Sequence, residues 1–451
     1  MIPRTSSKPV RRMAGGGVLL LLFAGCSGDV PGPAPPIPPL PERPKVLILG
    51  VDGADWRVIR PLMEAGRMPH FRHVVEGGAA GILWSMEPAL SPALWTTVAT
   101  GRPPAVHGIA DFIVRLPGGG YRPVTSDMRS APAFWNLVGQ RGDGREVGVV
   151  GWLASWPAEE VHGYAVTSYL PYIYNWSTGR PLKGTVVDGI PGQTFPESLM
   201  AEIGPLKVRP GSVDPALVAR FYDPSAVARL GKESSECVEG FLWSLASDET
   251  YRRIGLHLYA NRRVDLFAVY FGGIDVVSHR FWKFTYPGDE PYGTDPAEAA
   301  ALKGIIPGYY EYMDGILGEF LALMDDRTTL VVLSDHGFKP VLLPGKPTTS
   351  AHHRLEGIVA LYGRGIAPGR TLEGSTLLDI LPTVFALMGE PISRELPGKV
   401  LAEAFSLPAM ERLRVEYVDA YPPRPARIAP TPGEAVDANV LERLRSLGYI
   451  Q

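Results

Sequence analysis

The sequence predicts an α/β fold, with a mostly parallel central sheet flanked by helices and an inserted lobe over its active edge. Three apolar runs carry the prediction: Lys45–Val51, Val264–Phe271 and Thr329–Ser334. They are rich in β-branched, aliphatic and aromatic residues and lack the polar alternation of a half-solvated strand. Such runs suit strands covered on both faces, as in a parallel sheet between helical layers. Each run also delivers a carboxylate at its end: Asp52, Asp275 (after Gly272-Gly273-Ile274) and Asp335. Ligands of such sheets gather outside the carboxyl ends of the strands, so the three acids are expected along one edge.

From the N-terminus, the first residues read as a targeting signal rather than fold. Arg4, Lys8, Arg11 and Arg12 precede the apolar run Val18–Phe23, which is too short to span a bilayer comfortably and fits a signal-peptide core. Leu22-Phe23-Ala24-Gly25 then leads into Cys26, a stretch that resembles the lipobox of bacterial lipoproteins. The resemblance implies a signal peptide over 1–26, lipidation of Cys26 and export to a bacterial membrane; the alternative is an ordinary secretory signal with a chance cysteine. Ser27 and Gly28 stand where an aspartate would mark inner-membrane retention in some Gram-negative cells, which favours the outer membrane or cell surface. Residues 27–44 are rich in Pro and Gly and read as a semi-rigid tether.

The catalytic domain is expected over 45–405. The chain has 451 residues, 45% of them hydrophobic, enough for a large core, and its net charge of -3 offers no basic excess for a nucleic-acid surface. Of its two cysteines, only Cys237 remains once Cys26 is lipidated. No disulfide is expected, and a metal site must be built from His, Asp or Glu.

After the strand at 45–51, helical spacing appears around Val58–Gly66. Ser91-Pro92 opens the next helix, with Ser91 read as N-cap and Pro92 as its first residue. Ser91 has two readings: a plain cap, or a nucleophile whose hydroxyl sits in the positive potential of a helix N-terminus. Arg145–Val150 is a further strand. Residues 160–250, interrupted by Pro and Gly, read as the inserted lobe; Trp152, Trp156 and Tyr169–Tyr174 either line its pocket or fill a core. Asp275 and His279 form D-x-x-x-H after the second strand and fall on one helix face. Pro307–Asp325 is helical. Asp335-His336 ends the third strand, and His352-His353 precedes a strand at Gly357–Tyr362. Imidazoles and carboxylates together suit zinc, and less selectively Mn, Co or Fe. Leu377–Met388 is helical, and 406–451 is a tail expected to pack on the domain. His70, His73, His107, His162 and His257 lack comparable partners and read as surface or structural.

Taken together, Val51–Asp55, Ser91–Arg102 with His107-Gly108-Ile109, Gly273–Trp282, Ser334–Phe338 and His352–Ile358 resemble the alkaline phosphatase superfamily, in its type I phosphodiesterase and nucleotide pyrophosphatase branch. The stretches occur in the family's order and span 45 to about 390. The resemblance implies an alkaline phosphatase-like fold and a phosphate-ester substrate. It implies two divalent ions, with zinc preferred. One would be held by Asp52, Asp335, His336 and the Ser91 oxygen, the other by Asp275, His279 and His353. It implies Ser91 as nucleophile through a phosphoserine-type intermediate.

This sequence departs from the branch in three respects. Ser91 replaces its usual Thr, Phe112 falls where an Asn contacts phosphate, and Pro92 lacks a backbone N–H. Lys339, Arg280 and Lys283 are candidate replacement cations. The sulfatase branch is disfavoured because Ala93 and Trp95 stand where its signature has Pro and Arg. A phosphodiesterase is the leading expectation. A phosphomonoesterase or head-group transferase, and a non-catalytic surface-binding lipoprotein, are the rivals.

Overall fold

Strand β1 (Lys45–Val51) lies at the centre of a nine-stranded sheet. The other strands, in chain order, are β2 (Ala79–Trp84), β3 (Val147–Val150), β4 (Gly163–Val166), β5 (Thr194–Phe195), β6 (Leu266–Phe271), β7 (Thr328–Leu333), β8 (Glu356–Gly363) and β9 (Arg370–Thr376). Their spatial order is β9-β2-β8-β7-β1-β6-β3-β4-β5. The computed structural model describes residues 43–115, 121–171, 173–174, 184–185, 189–286, 294–340 and 351–424. The signal peptide, Cys26, the tether up to residue 42 and the tail beyond 424 lie outside the described residues. The chain divides after Pro39, and everything described belongs to the unit that follows.

The sheet is mostly parallel, as expected. β1 pairs in parallel with β6 and β7, β6 with β3, β3 with β4, and β2 with β9. β8 runs against both β7 and β2, and β5 against β4. The reversal at β8 has a local cause. After β7 the chain forms a two-stranded hairpin, Gly337–Pro340 with Ala351–Arg354, and re-enters the sheet from the same edge. An antiparallel neighbour needs no crossover helix.

Why the strand runs are continuously apolar is clear from the layers. Leu47, Leu49 and Val51 of β1 join a core with Phe267, Val269, Phe271, Leu330 and Val332. Helices α1 (Trp56–Glu64), α2 (Pro69–Gly77), α4 (Lys232–Asn261), α5 (Gly273–Thr285) and α6 (Ile305–Leu323) contribute to that core. Val46 and Ile48 point the other way, into a core with Leu266, Ala268, Val331 and Leu333 beneath α3 (Ser91–Thr100) and α7 (Ile380–Met388). With helices on both faces, neither side of the alternating strand meets water.

The segment 160–250, read as a lobe, contributes β4 and β5 to the sheet and most of the 30-residue helix α4. No helix of that length was expected there. The periodicity is broken because α4 buries Ser234, Ser244, Asp248, Glu249 and Thr250 along with its apolar residues. The tail packs on the body as far as it is described: Tyr417–Val418 pairs in parallel with Ile392–Ser393, and Arg424 donates to Glu159. Among the described residues, no helix is long and apolar enough to cross a membrane.

Candidate metal centre and nucleophile

The strand register brings the three acids together. β1 and β7 pair up to Gly50↔Leu333, so Asp52 and Asp335 each lie two residues beyond that pair on adjacent strands. β1 and β6 pair up to Val51↔Phe271, and α5 opens at Gly273 immediately beyond. Asp275 is the third residue of α5, and His279 follows one turn later. The start of α5 is held from α4: Asp248 accepts from the Gly272 and Gly273 N–H groups (3.2 and 3.0 Å) and from the Tyr309 hydroxyl (3.0 Å). A Cβ on Gly273 would sit 1.9 Å from that hydroxyl, so the close approach requires glycine. Burial pushes the Asp248 carboxyl up to about 7 despite its three donors.

Two groups of potential ligand atoms converge among the described residues: Asp52, Asp335 and His336, and Asp275, His336 and His353. His336 Nε2 lies 3.3 Å from Asp52 Oδ1, 3.6 Å from Asp335 Oδ2 and 3.7 Å from Asp275 Oδ1. His279 joins the second group, with Nε2 3.3 Å from Asp275 Oδ1 and 2.8 Å from His353 Nε2. His353 Nε2 is itself 3.3 Å from Asp275 Oδ1.

The imidazoles are oriented by backbone carbonyls. His279 Nδ1 donates to Ala351 O (2.8 Å), His353 Nδ1 to Ala89 O (2.6 Å) and His336 Nδ1 to Gly337 O (3.2 Å). A carbonyl only accepts, so Nδ1 carries the proton and, in the neutral imidazole, Nε2 presents its lone pair to the cluster. The His279 and His353 lone pairs then face each other, an arrangement that a shared proton or a cation relieves. Phe338 packs edge-on against His279, His336 and His353, and His336 stacks on His353 with centroids 3.6 Å apart.

These residues fit a metal on two grounds. Asp275 Oδ1, Asp335 Oδ2 and His336 Nε2 are buried with no hydrogen-bond partner, which costs about 1–3 kcal/mol per group unless something is bound there. The donors, three carboxylates and three imidazoles, are a transition-metal set. The buried acids and imidazoles also perturb one another strongly. Burial drives the Asp335 carboxyl well above its ordinary range, and neighbouring Asp52 pushes the same way. Burial opposes ionisation of Asp275 too, but His279 and His353 overcome it and hold that carboxyl well below. Burial lowers His336, yet Asp335 and Asp52 outweigh it and raise the imidazole.

Ser91 differs from its expected position. The helix cap is Leu90, whose carbonyl accepts from the Ala93 and Leu94 N–H groups, and Ser91 is already the first helical residue. Ser91 therefore does not cap α3. Its buried hydroxyl donates instead to Asp52 Oδ1, at 3.4 Å. Among the candidate cations, Lys339 pairs with His352 on the hairpin while Phe338 pairs with His353, so Lys339 and His352 take the opposite hairpin face. Arg280 is buried beside His279 in sequence. Lys283 lies on the Asp275–His279 side of α5, with Nζ 5.0 Å from the Phe284 ring.

Four of the remaining described histidines have structural partners: His70 with Asp314, His73 with Tyr362, His257 with Glu202, and buried His107 with Thr97, while His162 is exposed. Trp152 is core, donating to Trp95 O (3.1 Å). Trp156 packs on Tyr169, while Tyr172 lies outside the described residues.

Three features of the site went unread in the sequence. Tyr270 and Trp95 both donate to Asp52 Oδ2. Asp248 braces α5. Asp55 ties α1 to the hairpin, accepting from the Arg57 N–H (2.7 Å), the Phe338 N–H (2.9 Å) and Arg354 (3.1 Å). Asp55 had a local signal, an Asp just before a helix; Tyr270 and Asp248 had none, because a buried polar group looks like any other until its partner is known.

Residues 46–366 match the family described as type I phosphodiesterase / nucleotide pyrophosphatase. No curated protein matches the sequence. Among solved structures, phosphonoacetate hydrolase from Sinorhizobium meliloti 1021, in complex with phosphonoformate, is 20% identical over 67% of this chain and 58% of its own, with a TM-score of 0.39. This chain thus spans less than two thirds of that hydrolase. Murine ectonucleotide pyrophosphatase / phosphodiesterase 5 is 12% identical over 82% of this chain and 99% of its own, with a TM-score of 0.46. The human form is 11% identical over the same shares, with a TM-score of 0.47.

Proposed function

The chain belongs to the type I phosphodiesterase / nucleotide pyrophosphatase family, and on that premise we propose that it is a two-metal phosphodiesterase with Ser91 as nucleophile. The observation that carries the proposal is the convergence of Asp52, Asp335, His336, Asp275, His279 and His353 beside the buried Ser91 hydroxyl. Asp52, Asp335 and His336, with Ser91 Oγ, would hold one ion, and Asp275, His279 and His353 the other. Zinc suits this donor set. Bound divalent ions would supply the positive charge that activates a serine hydroxyl and neutralises phosphoryl oxygens.

The protein's own residues do the rest. Ser91 Oγ gives up its proton to solvent and attacks phosphorus in line; the Oγ–P bond forms as the bond to the leaving alcohol breaks, and that oxygen takes a proton from solvent. Water then attacks the phosphoserine, the P–Oγ bond breaks, and the hydroxyl is restored with its proton directed at Asp52 Oδ1. Three aspartates against two dications leave one positive charge, which a phosphodiester monoanion balances. The apolar Phe112 and the missing N–H of Pro92 favour the same choice, because fewer protein donors are available for a dianionic monoester. We also propose, from the lipobox-like stretch ending at Cys26, that the enzyme is exported and membrane-anchored.

The test is metal content together with turnover of a bis-aryl phosphate diester beside an aryl monoester. The expected result is about two zinc per chain and preferential diester cleavage, with Ser91→Ala keeping its zinc and losing kcat by on the order of 10³-fold or more. A folded protein that binds no metal, or a Ser91→Ala variant with undiminished turnover, overturns the proposal.

A further inference from the structure

Asp52 is the most heavily constrained acid of the cluster, and its two oxygens are treated differently. Oδ2 accepts the Tyr270 hydroxyl at 2.6 Å and the Trp95 indole N–H at 2.9 Å. Oδ1 faces the site, 3.3 Å from His336 Nε2 and 3.4 Å from Ser91 Oγ. A carboxylate oxygen offers about two lone-pair positions, so two donors occupy Oδ2 and leave Oδ1 as the one oxygen for an ion.

The two donors are themselves locked in place. Trp95 and Tyr270 meet edge to face at 5.1 Å, and Trp95 packs edge-on against Trp152. Trp95 lies directly over β1 at Gly50, where a Cβ would stand 2.6 Å from its ring. Trp95 is on the same helix as Ser91, one turn along, and Tyr270 is on β6, whose end leads into α5. The clamp therefore ties the nucleophile's helix and the central strands to a single carboxylate oxygen.

We propose that Tyr270 and Trp95 are positioning residues that hold Asp52 as a one-oxygen ligand and so set the affinity of the ion bound by Asp52, Asp335 and His336, without affecting the other ion. The inference rests on the two-metal reading above. Losing either donor frees a lone pair on Oδ2 and lets the carboxylate turn. Outer partners of this kind typically change metal affinity by about 10- to 100-fold.

The test uses the full zinc-loaded protein and follows zinc release to a chromophoric chelator. The wild type is expected to release two zinc ions in two phases, with the phase of the Asp275 ion identified by its loss in His353→Ala. Tyr270→Phe keeps the ring and removes only the hydroxyl. It is expected to weaken the Asp52 ion roughly 10- to 100-fold and leave the other phase unchanged. Trp95→Phe removes the second donor independently and serves if Tyr270→Phe does not fold. Two unchanged phases, or two phases shifted alike, overturn the clamp while leaving the two-metal reading intact. A wild type holding fewer than two ions overturns that reading and the clamp with it.

Discussion

Replacing Glu159 with Gln probes the charge network that fastens the far end of the described chain to its body. Glu159 is buried, and its carboxylate meets Arg129 and Arg424, each at 2.7 Å, and accepts from the Trp135 indole at 2.8 Å. Burial pushes this carboxyl up, but Arg129 and Arg424 prevail and bring it down from 4.5 to about 2. At about 1.4 kcal/mol per tenfold change in proton affinity, that fall is worth roughly 3 kcal/mol of stability. The arginine side points the other way: burial pushes Arg129 below its ordinary value even beside Glu159. The carboxylate side is the better guide to the loss, because Arg129 stays charged and would be left buried without its counter-ion. The folded-state value is depressed, so the stabilisation is present in full above 4.5 and is lost as pH falls toward about 2. Urea unfolding of Glu159→Gln is expected to show a deficit of about 3 kcal/mol at pH 7, and a flatter loss of stability than the wild type across that acid window. A deficit below about 1 kcal/mol at pH 7, with an unchanged acid limb, would refute the reasoning.

Two further outcomes follow from the same geometry. Gly50→Ala places a methyl group 2.6 and 2.8 Å from ring carbons of buried Trp95. An overpacking cost of about 1–3 kcal/mol is expected in urea unfolding, with faster release of the ion proposed at Asp52; wild-type values for both would show that Trp95 can move freely. Cys26→Ser is expected to abolish incorporation of labelled palmitate and to release the protein from membranes, and continued labelling would rule out Cys26 as the anchor.

Much of the candidate site was legible because its residues are tied to local features. Asp52, Asp335 and His336 follow apolar strands, and Asp275 and His279 share a helix face one turn apart, so spacing alone placed them at one edge. Ser91 stood out through the helix-opening Ser91-Pro92 pair, yet its cap role was misread, because the helix starts at Ser91 itself, its first turn closed by the Leu90 carbonyl, which leaves the Ser91 hydroxyl to Asp52. The long helix α4 was missed because its buried polar residues, Asp248 among them, interrupt the apolar period that marks a helix.

Residue type and periodicity by themselves determined the parallel core of the sheet and the edge where the candidate carboxylates and imidazoles gather, because burial on both faces and short-range spacing leave direct marks in the chain. Two things belonged to tertiary structure alone: the division of Asp52 between Ser91 on one oxygen and Tyr270 with Trp95 on the other, and the bracing of α5 by Asp248. Each joins residues far apart in sequence. Tyr270 stands 218 positions from Asp52, for example, and no local pattern encodes which buried donor will meet which buried acceptor until the strands are in register.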